Sequence, residues 1–237
     1  MTRAVAFDVD FTLIRPGPVF QGAGYQVFCS RYGIIVDASL FDSAVASASA
    51  LLHAPDDAVY DEEIFVGFTR HIIERMGGRG ALVDACAREI YAEWAACHHF
   101  ELYEEVPIVL RHLADAGVIV GLVSNSHRCL ASFESHFALE GLIAAAVSSA
   151  EHGRMKPHPS IFRALLARMG VDPHDALMIG DSVIHDVEGA LGVGMRAALL
   201  HRDDVPHPRA RELSERGVPT LRTLRDLLPL VHLPPRA

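Results

Sequence analysis

From about residue 104 onward, continuous apolar runs alternate with segments of helical period, whereas residues 20–98 carry helical patterning with no convincing strand. Residues 4–9 read as a short buried strand, and Pro16-Gly17-Pro18 breaks the chain after it. Helices are expected near 20–32, 37–53, 60–76 and 79–97, with Gly77-Gly78 between the last two. In the third of these, Ile64, Phe65, Phe68, Ile72 and Met76 recur at helical spacing and read as a core stripe. The second half predicts helix 105–115, strand 118–123, helix 128–138, strand 144–148, helix 159–169, strand 176–179, helix 183–191, strand 195–200 and a last helix near 221–229. Apolar strands alternating with helices imply a parallel sheet covered on both faces. Strand 4–9 must join that sheet, since a lone parallel strand is not stable. The expected fold is therefore α/β, a Rossmann-like core with a parallel sheet (1–16 and 100–237) and an inserted α-helical domain (17–99).

A chain of 237 residues, half of them hydrophobic, buries a full core. The formal charge of -9 disfavours a nucleic-acid partner. Cys29, Cys86, Cys97 and Cys129 form no CxxC pair, and Cys86 and Cys97, placed in expected helix, read as buried thiols of a reducing cytoplasm. The N-terminus does not read as a signal peptide, and no apolar stretch reaches 18 residues, so no membrane partner is expected. The 14 histidines, His98-His99 among them, show no metal-ligand spacing. Lys156 is the only lysine, and every other basic residue is arginine. A lysine retained under such a bias marks a position where a compact ammonium is needed.

Polar groups gather where the predicted strands end. Asp8 and Asp10 follow the first strand, Ser124-Asn125-Ser126 follow strand 118–123, and Asp181 and Asp186 follow strand 176–179. Lys156-Pro157 precede a helix start. In a doubly wound sheet these carboxyl ends converge on one crevice. Three or more carboxylates there repel one another, and Mg²⁺, which takes oxygen ligands and keeps waters, relieves this. A hydroxyl, backbone N–H groups and one Lys⁺ would bind an anion beside the metal. Metal, anion and carboxylate nucleophile together read as phosphoryl transfer.

Asp8-Val9-Asp10-Phe11-Thr12-Leu13, Val123-Ser124-Asn125, Lys156-Pro157 and the run from Gly180 through Asp181 to Asp186 resemble, in order, the four motifs of the haloacid dehalogenase superfamily. The insertion after the first motif resembles the helical cap of its dehalogenase-like subfamily. The resemblance implies that Asp8 attacks phosphorus and that Asp10 protonates the leaving group and then activates water. It implies that Ser124, Asn125 and Lys156 bind the phosphoryl group. It further implies that Asp8, Asp181 and the backbone carbonyl of Asp10 hold Mg²⁺, with Thr12 and Asp186 in support. Phe11 departs from the pattern, standing where glycine is usual.

An acid/base Asp two residues after the nucleophile favours phosphoester hydrolysis over carbon–halogen cleavage. A lysine-free insertion closes the Schiff-base route of the phosphonatases. The expected activity is a Mg²⁺-dependent phosphatase of a small phosphorylated metabolite, cytoplasmic, monomeric or homodimeric. The alternatives are a sugar-phosphate mutase and a catalytically silent binding protein on the same fold.

Overall fold

The computed structural model describes residues 2–52 and 58–232. Among the described residues eight strands occur in chain order: β1 Ala4–Phe7, β2 Ile14–Pro16, β3 Phe100–Leu102, β4 Ile119–Ser124, β5 Ala145–Ser148, β6 Ala176–Gly180, β7 Arg196–Leu200 and β8 Thr220–Leu221. Six of them form one parallel sheet in the order β5-β4-β1-β6-β7-β8. β2 and β3 pair with each other. The chain divides into two compact units, residues 1–15 with 102–237, and residues 16–101.

β1 lies at the centre of the six-stranded sheet, with Phe7 level with Leu122 of β4 on one side and Ile179 of β6 on the other. All four of its residues are buried. Alternate side chains of a strand point to opposite faces. Ala4 and Ala6 join a cluster with Met178, Ile161, Phe162 and Leu165, and Val5 and Phe7 face the other way. Coverage of both faces accounts for the unbroken apolar runs seen in the sequence. From β1 the strand order proceeds outward in both directions, which creates the switch-point crevice at the carboxyl ends of β1, β4 and β6.

The helix Pro159–Met169 shows how the local sequence sets an element. His158 caps it by accepting from the Ser160 N–H at Nδ1, and Pro159 occupies its first turn, where a missing N–H is harmless. Its apolar face, Ile161, Phe162, Leu165, Leu166 and Met169, packs toward β4. A Cβ on Gly121 of β4 would stand 2.6 Å from the Met169 sulfur, so glycine there permits the close approach.

Residues 16–101 carry the helices Gly22–Arg31, Phe41–Ala48, Glu62–Arg75 and Val83–Glu93. The expected helix 37–53 is instead three pieces, a 3₁₀ turn Ala38–Leu40, the α-helix Phe41–Ala48 and a 3₁₀ turn Ser49–Leu52; residue 53 lies outside the described residues. The buried stripe of Glu62–Arg75 also differs from the expected one. Val66, Thr69, Ile72 and Ile73, continued by Met76, are buried, while Ile64, Phe65 and Phe68 are half-buried. Both sets have helical spacing, so period alone could not choose the face.

Further corrections fall at the chain's second half. The helix expected at 183–191 is a π-helical turn Val183–Glu188 followed by the short helix Gly189–Gly192. The last element is a 3₁₀ helix, Leu224–Val231, opened by a Thr223/Asp226 capping box, in place of an α-helix at 221–229. Among the described residues no helix is long and apolar enough to cross a membrane.

Candidate active site

β1 ends at Phe7, and its ladder continues one residue further through the Asp8 N–H, which donates to the Ile179 carbonyl at 2.9 Å. The buried Asp8 side chain is thereby held at the rim of the sheet. Lys156 reaches it from the loop before helix Pro159–Met169. Its Nζ lies 2.5 Å from Asp8 Oδ1 and 2.6 Å from Asp186 Oδ1, and Lys156 is 2% exposed. The Lys156 backbone is clamped by Asn125. The Lys156 N–H donates to Asn125 Oδ1 at 2.7 Å, and Asn125 Nδ2 donates to the Lys156 carbonyl at 2.9 Å. Both ends of the Asn125 amide thus hold the Lys156 backbone, and the second Nδ2 hydrogen is left over from these two bonds.

The π turn after β6 aims Asp186. Both the Asp186 N–H and the Val187 N–H donate to the Ser182 carbonyl, at 3.0 and 3.2 Å, which widens the turn by one residue. Asp186 then accepts from the Ser182 N–H at 2.9 Å through Oδ2 and from Lys156 through Oδ1. Gly180 makes room for it, because a Cβ there would fall 2.2 Å from the Asp186 carboxyl carbon. Ser124 is buried at the end of β4, and its hydroxyl donates to the Ser126 hydroxyl at 3.0 Å. Thr12 is fully buried, and its hydroxyl has no hydrogen-bond partner among the described residues. Its carbonyl accepts from Arg202 Nη2 at 2.9 Å, so the backbone carries the tie to the motif loop.

Oxygens of Asp8, Asp181 and Asp186 lie within 4.8 Å of one another. Burial, with the Asp186 and Asp10 charges, pushes the Asp8 carboxyl up to about 7, against the opposing pull of Lys156. Asp181 is pushed well above the usual carboxylate range, by the protein packed around it and by the charges of Asp8 and Asp186; solvent at its exposed surface tempers that push. Burial pulls Lys156 down, but the Asp186 and Asp8 charges outweigh it and its ammonium is held above the usual range. Asp8 and Asp181 repel each other, with the Asp186 carboxylate, held by Lys156 and the Ser182 N–H, beside them, and such oxygen donors suit a hard divalent cation, so the residues present fit Mg²⁺.

Asp10 does not join this trio. Its Oδ1 accepts from Arg128 Nη1 at 2.9 Å, and Arg128 is 1% exposed. Sequence reasoning missed Arg128. The signal available was an arginine four residues beyond Ser124, in the loop that leaves β4. Phe11 adopts φ +64°, the left-handed region that favours glycine, and is 45% exposed. The glycine usual at this position thus has a conformational reason, which Phe11 meets under strain.

A parallel sheet with its switch point at β1, and a lysine-bridged carboxylate cluster at the strand ends, define an α/β core of Rossmann-like type. A profile of the haloacid dehalogenase-like hydrolases matches residues 2–194, and the chain belongs to that family. It is 27% identical over 220 residues to human N-acylneuraminate-9-phosphatase, covering 86% of this chain and 88% of the relative. It is 28% identical over 124 residues to haloacid dehalogenase-like hydrolase domain-containing protein 3 of Xenopus laevis; that match covers 52% of this chain and spans about half (51%) of the relative. Among solved structures, the magnesium-bound HAD-hydrolase YfnB of Bacillus subtilis superposes with a TM-score of 0.73 at 17% identity, over 98% of this chain and 99% of that one.

Proposed function

We propose that this chain is a Mg²⁺-dependent phosphatase that hydrolyses a small phosphorylated metabolite through a phosphorylated Asp8. The observation that carries the reading is the Lys156 ammonium set between Asp8 and Asp186, with Asp181 completing a carboxylate trio. The name of the human relative, a 9-phosphatase of N-acylneuraminate, supports the substrate class.

In the first half-reaction an Asp8 oxygen attacks phosphorus and the bond to the leaving oxygen breaks. Asp10 gives its proton to that oxygen, and the alcohol departs. In the second half, water attacks the phosphorus of phosphorylated Asp8 while Asp10 takes its proton. The Asp8–phosphorus bond then breaks, phosphate leaves and the Asp8 carboxylate is restored. Ser124 and neighbouring backbone N–H groups receive the phosphoryl oxygens. Lys156 balances the charge shared by nucleophile and phosphoryl group. Asp8, Asp181 and the Asp10 carbonyl would hold Mg²⁺, with Asp186 orienting Lys156. When bound, the cation supplies charge neutralisation that lets an anionic nucleophile meet an anionic ester.

The test is turnover of 4-nitrophenyl phosphate and of a panel of phosphorylated metabolites with Mg²⁺ or EDTA, for the wild type and Asp8→Asn. The reading expects turnover by the wild type in Mg²⁺ alone. Activity that survives EDTA, or that survives in a folded Asp8→Asn protein, overturns it.

A further inference from the structure

Arg128 and Asp10 form an ion pair outside the Lys156 network, across 118 residues of sequence. Arg128 is the largest of the fully buried side chains. Burying a guanidinium is unfavourable unless a partner meets it, and losing the partner strands a charge. A surface arginine would serve solubility equally well, so full burial in contact with the Asp10 carboxylate calls for a reason at that carboxylate. The planar guanidinium also fixes the plane and direction of a carboxylate more tightly than an ammonium or water does.

We propose that Arg128 is the positioning residue for Asp10. By binding Oδ1 it directs the other carboxyl oxygen to the leaving group, and afterwards to the attacking water. The inference rests on the phosphatase reading above. When Asp10 has passed its proton to the leaving oxygen, the same hydrogen bond stabilises the carboxylate left behind. In the second half-reaction that carboxylate receives a proton from water with its orientation kept. A guanidinium that only attracted the phosphoryl group would act alike on every ester. One that positions the acid acts most on esters whose leaving oxygen needs a proton.

The experiment compares kcat/KM for an alkyl phosphate and for 4-nitrophenyl phosphate, whose leaving group departs with little protonation. This ratio covers only the steps up to leaving-group departure, so water attack does not obscure it. General acid help is typically worth about 10²–10⁴-fold, so Arg128→Ala should lose about 10- to 100-fold more on the alkyl ester than on the aryl ester. Added guanidinium should restore part of the alkyl rate. Arg128→Lys, which keeps the charge and guards against loss of the fold, should show the same asymmetry in smaller measure. In an Asp10→Asn background Arg128→Ala should add no further discrimination. If folded Arg128→Lys and Arg128→Ala slow both esters alike without rescue, the positioning role is overturned and the phosphatase reading stands. If the wild type turns over neither ester in Mg²⁺, that reading falls and this role falls with it.

Discussion

The Lys156 ammonium lies 2.5 Å from the Asp8 carboxylate, and both side chains are buried. A second carboxylate, Asp186, holds the same nitrogen at 2.6 Å. The ammonium is therefore gripped on two sides by carboxylate oxygen.

Lys156→Arg should be damaging although the charge is kept. The planar guanidinium is wider than the site and would displace Asp8 or Asp186. We expect turnover to fall about 10- to 10³-fold, equivalent to roughly 1.4–4 kcal/mol of transition-state stabilisation. Steady-state kinetics with Mg²⁺ checks this, and wild-type rates would mean that the two carboxylates do not confine the cation.

Gly180→Ala should disturb the same network from the other side. The new methyl meets the Asp186 carboxyl at 2.2 Å, far inside contact distance. Overpacking of this kind typically costs about 1–3 kcal/mol. Denaturant unfolding should show a loss in that range, with reduced turnover because Asp186 no longer fixes Lys156. A protein of unchanged stability and rate would show that the turn after β6 yields freely.

Phe11→Gly should act in the opposite sense. Set against Phe11→Ala, which loses the same ring, it isolates the backbone. A non-glycine residue in the left-handed region costs about 1–2 kcal/mol, and glycine returns about 0.5–1 kcal/mol of that through the freedom it loses on folding. Phe11→Gly should therefore be more stable than Phe11→Ala by about 0.5–1 kcal/mol, read from the difference in denaturant midpoint. An alanine variant as stable as the glycine variant would mean that the backbone at residue 11 carries no strain.

Removal of metal should make stability depend on pH in a defined direction. Asp8 is raised from 3.8 to about 7, and Asp181 is raised as well. Between those values the folded protein binds more protons than the unfolded chain, so raising the pH favours unfolding. In EDTA this site's contribution should fall as pH rises from about 4 to 7. Mg²⁺ should restore the loss at pH 7, and Asp181→Asn should flatten the dependence. Thermal melts of both proteins across that range decide it. A wild type whose melting in EDTA matches that of Asp181→Asn at every pH would contradict the repulsion inferred among these carboxylates.

The parts of this molecule that were legible in the sequence are those carried by local pattern. The runs 118–123 and 176–179 are unbroken because both faces of β4 and β6 are covered, and helix 159–169 was marked by Pro159 and its apolar spacing. The polar residues at those strand ends were readable because the sheet brings them together at one edge. What escaped reading depends on partners distant in sequence. Arg128 meets Asp10 only after folding. The helix Ala210–Glu215 is polar, and around it Arg209 and Arg216 pair with Glu188 and Glu212, residues brought together from separate segments. β2, β3 and β8 are two or three residues long, too short for a period to register. The π turn at Val183–Glu188 gave way to an α-helix in the reading because its apolar spacing suits either.

The most direct measurement of the central claim is capture of the covalent intermediate. The Mg²⁺-loaded wild type is mixed with a substrate that it turns over and quenched in acid within a single turnover, and its peptides are mapped by mass spectrometry. The account predicts one phosphoryl group on the peptide that holds Asp8, absent in Asp8→Asn and retained longer in Asp10→Asn. A phosphoryl group on another residue, or undiminished turnover by Asp8→Asn, would contradict it.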